Sequence, residues 1–154
     1  MDAPFKKNLL AVSILMASMS SFAADYTLST SVTGTQEVDA PGTVTVASAG
    51  GVDCTHCGDS AMVLVGDGFV SFSNAGTLTG GDGGDGLSLA LGSMSGDLVN
   101  TGTITTITPD LDLTEDGNSA VRLVYLNEPG AVGGFALRGK IINESSGEMS
   151  VSRS

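Results

Sequence analysis

Gly68-Phe-Val-Ser-Phe-Ser-Asn74-Ala-Gly76-Thr-Leu-Thr-Gly80 is the stretch on which the fold turns. A short run alternating apolar and polar residues reaches an asparagine, an Asn-x-Gly corner follows, and a second alternating run departs from it. The chain restates this phrase as Gly96-Asp-Leu-Val-Asn100-Thr-Gly102-Thr-Ile104, and again as Gly139-Lys-Ile-Ile-Asn143-Glu-Ser-Ser-Gly147-Glu-Met149. Self-similarity of this kind outranks local propensity, because a short strand with one apolar face buries it only when the same strand of the next unit stacks on it. Asparagine suits such a corner: it tolerates left-handed backbone angles and its side chain bonds to its own turn. The corners are therefore expected at Asn74, Gly76, Asn100, Gly102, Asn143 and Gly147.

A second element accompanies each corner, a Gly/Asp turn that leads into apolar alternation. It reads Asp59-Ser-Ala-Met-Val-Leu-Val65, then Asp85-Gly-Leu-Ser-Leu-Ala-Leu91, then Asn118-Ser-Ala-Val-Arg-Leu-Val124. The interval between units is uneven, and the Pro129-Gly130 loop lengthens the last one. Twenty-two glycines, all after Ala23, far exceed the roughly 7% of ordinary chains and signal many turns. No helical period is visible in that part. The pattern predicts an all-β fold, a right-handed parallel β-helix over residues 59–154, with a two-layer β-sandwich as the alternative. Residues 24–58 are expected to form a strand pair that caps the first open end, since Tyr26–Val38 and Thr43–Val46 alternate around a Pro41-Gly42 turn.

The first residues carry an address. Lys6 and Lys7 precede an apolar run from Leu9 to Ala17, and Ser21 and Ala23 stand at −3 and −1 of a cut after Ala23. That order is a secretory signal peptide over residues 1–23, with a core too short to span a bilayer. After it, only Arg122, Arg138, Lys140 and Arg153 are basic, and the whole chain carries a formal net charge of −11. Nucleic-acid and anionic-membrane partners need clustered Lys and Arg, so both are excluded as partners on this reading.

Gly50-Gly-Val-Asp-Cys54-Thr-His56-Cys57-Gly58 holds both cysteines and the one histidine. In an exported chain the expected state is a Cys54–Cys57 disulfide closing a small loop. A redox pair would need a helix N-terminus, haem attachment a histidine directly after the second cysteine, and zinc four spaced ligands; each lacks what it requires. Gly58-Asp59-Ser60 begins like an esterase motif, but Ala61 replaces its leucine and no later histidine activates Ser60. No catalytic set is therefore expected, whether for an esterase or a polysaccharide-active β-helix. Gly80-Gly-Asp82-Gly-Gly-Asp85-Gly-Leu-Ser88 fits one calcium nonapeptide. One copy cannot supply six to eight oxygens, so Asp82 and Asp85 are weak calcium candidates and no cofactor is expected. Asp112 to Leu123 fails as an EF-hand loop because Leu123 stands where a bidentate glutamate is needed.

At Ser95-Gly-Asp-Leu-Val-Asn100-Thr-Gly102-Thr-Ile104, and over about residues 59–151, the chain resembles the passenger domains of autotransporters, the type V secreted proteins of Gram-negative bacteria. The third copy departs from the phrase, with Ser145 where the glycine should be. The resemblance implies export through the inner membrane, display at the outer membrane or cell surface, and a structural or adhesive role toward an unidentified surface or host ligand. Membrane attachment would come only through a C-terminal barrel, which the residues up to Ser154 do not contain, so the expectation is an incomplete passenger. The rival expectation is a complete small secreted or periplasmic β-rich binding protein, calcium-dependent or not.

Overall fold

The computed structural model describes residues 24–39, 42–108, 119–123 and 134–153. The leader, Pro41, the acidic stretch 110–117, Asn118 and the Pro129-Gly130 loop lie outside the described residues. Among the described residues fifteen strands account for the regular structure: β1 (Tyr26–Leu28), β2 (Ser31–Thr33), β3 (Gln36–Val38), β4 (Thr43–Val46), β5 (Gly51–Asp53), β6 (Met62–Phe69), β7 (Ser71–Asn74), β8 (Thr77–Gly80), β9 (Leu87–Met94), β10 (Leu98–Asn100), β11 (Thr103–Thr108), β12 (Val121–Leu123), β13 (Phe135–Leu137), β14 (Ile141–Asn143) and β15 (Glu148–Arg153).

The strands form three five-stranded sheets, β1-β4-β7-β10-β14, then β2-β5-β8-β11-β15, then β3-β6-β9-β12 with β13 also on β9. From β1 to β12 successive strands visit the three sheets in rotation, β13 stays in the third sheet with β12, β14 and β15 return to the first and second, and every pairing is parallel. This is an all-β fold of stacked circuits, consistent with a parallel β-helix. The two-layer sandwich is not what forms, since it would bring strands together largely in antiparallel pairs. Residues 24–58, expected as a strand pair, contribute strands to these same sheets. β1 pairs with β4, β2 with β5 and β3 with β6, so no change of pairing marks residue 59.

Alternation decides which side chains fill the interior. One column runs Tyr26, Val44, Phe72, Leu98, Ile141 through the first sheet. A second runs Val32, Val52, Leu78, Ile104, Met149, and a third Val38, Leu64, Leu89, Leu123. Phe72, Leu78, Ile104, Leu64 and Leu89 are fully buried. Burial of each such side chain is worth about 1.5–3 kcal/mol.

Over Met62–Leu64 the register differs by one residue from the alignment that starts at Asp59, Asp85 and Asn118; a bulge between Leu64 and Val65 then restores it for β6 on β9, and Val65 pairs with Leu91 as aligned. Met62 pairs with Leu87, and Leu87 with Val121, so Ser60, Asp85 and Ser119 share one position. A shift of one over this stretch would place Met62 over Ser88 and turn Met62 and Leu64 outward, which their burial forbids.

Candidate functional site

Asn74, Asn100 and Asn143 stand in register on β7, β10 and β14. Asn74 Nδ2 donates to Asn100 Oδ1 at 2.8 Å, and Asn100 Nδ2 to Asn143 Oδ1 at 2.8 Å. Each amide also serves its own corner: Asn100 Nδ2 reaches Gly102 O at 3.0 Å, Asn143 Nδ2 reaches Gly147 O at 3.0 Å, and Gly76 N donates to Asn74 Oδ1 at 3.2 Å. Asn74 and Asn100 are fully buried with these groups satisfied. Among the described residues no non-glycine has a positive φ, so asparagine's tolerance of left-handed angles is not used here. Its amide is what the corner needs.

The corner glycines have a different reason. A Cβ on Gly102 would collide with Gly76 O and come within 2.7 Å of Ala75 C, because each corner rests directly on the one before it. Gly147 keeps this place despite the longer Asn143-Glu-Ser-Ser loop, since Glu148 pairs with Thr103 immediately afterwards. The same corner is present earlier, where Gly50 O accepts from Thr77 N, but there Leu28 and Val46 hold the asparagine position.

Cys54 and Cys57 are joined as a disulfide, their Cα atoms 5.0 Å apart. Cys54 is fully buried and receives Thr35 Oγ1 at 3.3 Å. Above this turn lies the Gly80–Gly84 loop. Cβ atoms on Gly81 and Gly84 would strike Cys54 O and Asp59, which accounts for these two glycines of the nonapeptide as close packing, while Gly83 has a positive φ. Two of its carbonyls, Gly84 O at 2.6 Å and Gly81 O at 3.4 Å, accept from the buried Thr106 hydroxyl. Asp82 is exposed, whereas Asp85 is buried. Among the described residues no three His, Cys, Asp or Glu side chains gather to hold a metal ion.

Asp85 ties three circuits together. Its N–H donates to Ser60 Oγ at 3.0 Å, and its Oδ1 accepts from Ser119 N at 2.9 Å. Burial pushes its carboxyl above the ordinary range, with the Ser119 N–H and the Arg122 charge opposing and Asp59 adding to the rise. Ser60 is therefore a buried turn residue and not a presented nucleophile. Asp25 and Asp97 act in the same way, accepting the N–H groups of Thr43 and Lys140 from the next circuit.

The outer face of the β2-β5-β8-β11-β15 sheet carries hydroxyls in columns, with Thr33, Asp53, Thr79, Thr105 and Ser150 in one and Ser31, Gly51, Thr77, Thr103 and Glu148 in the other. Gly51 leaves a shallow depression of about 210 Å³, bordered by Ser31, Asp53, Thr55, Thr77 and Thr79. The Thr55 hydroxyl and N–H hold the Asp53 carboxyl below its ordinary value, His56 adding to this against a small burial effect. Sequence reasoning missed this surface, because its columns appear only when the circuits stack.

Comparison with known proteins finds no family model, no curated protein and no solved structure that matches the chain.

Proposed function

We propose that this chain is an exported segment of a right-handed parallel β-helix, similar to an autotransporter passenger, with a structural or adhesive role at the cell surface. On this reading the first circuit, β1–β3, is the N-terminal end of the stack, and the chain performs no reaction of its own. The Asn74–Asn100–Asn143 ladder carries the proposal, since it links three circuits of a loosely repeated sequence into one stack, and one outer sheet of that stack is lined with hydroxyls. A rod of stacked circuits presents a long regular surface, which suits display and adhesion.

The test is expression with the native leader in a Gram-negative host, in the native frame and also fused ahead of a β-barrel translocator. Exported material should begin at Ala24, and the fusion should become sensitive to protease on intact cells. Retention of Met1 in exported material would sink the export reading; a fusion that stays protected would sink the passenger reading.

A second reading, a small secreted or periplasmic binding protein, draws on the depression at Gly51 with its Ser, Thr and Asp lining. A soluble monomer released to the periplasm, with a ligand whose affinity falls on Gly51→Val, would favour it.

A further inference from the structure

The two sulfurs of the Cys54–Cys57 bond stand in different surroundings. Cys54 is fully buried. Its N–H donates to Thr79 O at 2.8 Å, its carbonyl accepts from Cys57 N at 2.9 Å, and its Sγ accepts from the Thr35 hydroxyl at 3.3 Å. Gly81 of the next circuit covers it, packed so closely that a Cβ there would strike Cys54 O. Cys57 is exposed, and so are His56, Gly58 and Asp59 beside it. Solvent therefore meets this bond from the Cys57 side.

Thiol–disulfide exchange proceeds by attack of a thiolate on one sulfur while the other departs, and exposed disulfides are the labile ones. Access selects Cys57 Sγ for the attack, which makes Cys54 Sγ the leaving sulfur. The Thr35 hydroxyl is already directed at that sulfur and steadies the negative charge that develops on it. A thioredoxin-like pair obtains this help from a helix N-terminus; in this turn between strands a hydroxyl of the preceding circuit supplies it. Once the bond is open, Cys54 stays fixed by its backbone bonds in the place from which it closed, where the two Cα atoms are 5.0 Å apart.

The charges around the turn narrow the choice of thiol. Asp53, Asp59 and Asp82 are all exposed, the first two flanking the ring and the third in the loop stacked on it. His56 is the one basic side chain of the ring, and no lysine or arginine occurs between Lys7 and Arg122. A thiol that bears a carboxylate is repelled from such a surface, and one that bears an ammonium group is drawn to it.

We propose that this disulfide is a site of reversible thiol–disulfide exchange, opened at Cys57 by small thiols without net negative charge and reclosed by Cys54. The incoming thiolate forms a bond to Cys57 Sγ, the Cys54–Cys57 bond breaks, and its electron pair stays on Cys54 Sγ. Cys54 then returns to Cys57 Sγ and expels the small thiolate, or a second small thiolate attacks the external sulfur. The second route leaves both cysteines reduced and the two small thiols joined as a disulfide, the protons they gave up passing to the cysteines. This exchange modifies the chain and turns over no substrate. It rests on the turn and not on export, so its failure would leave the surface role standing.

The test is exposure of the native full chain to cysteamine and to mercaptoacetate, small thiols of opposite charge, with acid quenching and mass spectrometry. At equal thiolate concentration cysteamine should open the bond about threefold faster or more at low salt, a gap that closes in molar salt. The trapped mixed disulfide should map to Cys57. Cys54→Ala should form a lasting mixed disulfide with cystamine, whereas Cys57→Ala should leave Cys54 unlabelled until the chain unfolds. Thr35→Val should slow opening about three- to tenfold, the range of one net hydrogen bond, yet leave thiolation of Cys57 in the Cys54→Ala chain unchanged. Should Cys54→Ala fail to fold, the adduct map of the native chain decides. An adduct on Cys54, opening that waits for global unfolding in a urea series, or mercaptoacetate as fast as cysteamine overturns the proposal.

Discussion

Asn100 sits between two asparagines, giving its amide N–H to Asn143 Oδ1 and taking that of Asn74 on its own Oδ1, both at 2.8 Å. The three residues are far apart in sequence and adjacent only through stacking. Loss of the middle member breaks both bonds at once, whereas loss of Asn143 breaks one at an exposed end.

Asn100→Ala is therefore expected to cost about 2–4 kcal/mol, because buried partners are left unsatisfied on both sides. Asn143→Ala should cost about 1 kcal/mol or less. Urea denaturation of both variants decides this, and equal losses would show that the ladder does not transmit between circuits.

Gly102→Ala meets a steric limit and no conformational one, since Gly102 is not among the glycines with positive φ. Its Cβ would push against Gly76 O and Ala75 C, backbone atoms that move only if the corner lifts. Overpacking of this kind costs about 1–3 kcal/mol. A variant as stable as the parent in thermal denaturation would mean that the corners are less closely stacked than described.

The pH dependence of stability has two opposing contributions. Asp85 is raised on folding, so what it contributes is fully present below the ordinary carboxylate range and is lost as pH rises through its folded value. Asp53 is lowered, so its contribution is present above the ordinary range and is lost as pH falls through its folded value. Asp85→Asn retains an oxygen for Ser119 N–H without the buried charge. Relative to the parent, this variant should gain stability between acid and neutral pH; a melting-temperature series in which it loses ground over that interval would refute the assignment.

The Cys54–Cys57 ring is small, so the chain-entropy gain from closing it is only about 2 kcal/mol. Thiol labelling of the native protein should find neither cysteine free. Reduction should lower the melting temperature by several degrees without unfolding the stack; two labelled thiols in the native protein would contradict the pairing.

Millimolar calcium should leave the melting temperature nearly unchanged. Asp85 Oδ1 already serves Ser119, and Gly81 O and Gly84 O already accept from Thr106. An ion that bound only the folded state would stabilise it by mass action, so a rise of many degrees would reveal a site at Asp82 and Asp85.

What the sequence determined by itself is local. Alternation at Thr43–Val46 and Ser71–Asn74 marks half-buried strands, Asn-x-Gly marks the corners at Asn74 and Asn100, and Cys54 and Cys57 are close enough in sequence to pair. Each of these follows from the period of a strand, the chemistry of a turn or the length of a loop. Stacking decided the rest, because it joins residues tens of positions apart. The corners of the first two circuits were not legible, although their strands at Thr43–Val46 and after Asp59 were, since Leu28 and Val46 hold the ladder position with side chains that bear no corner signal. The one-residue register of Met62 on Leu87 was settled only by which side chains the interior would bury. The Gly80–Gly84 loop likewise took its meaning from the Cys54–Asp59 turn beneath it, where the close approach of two backbones leaves no room for a Cβ.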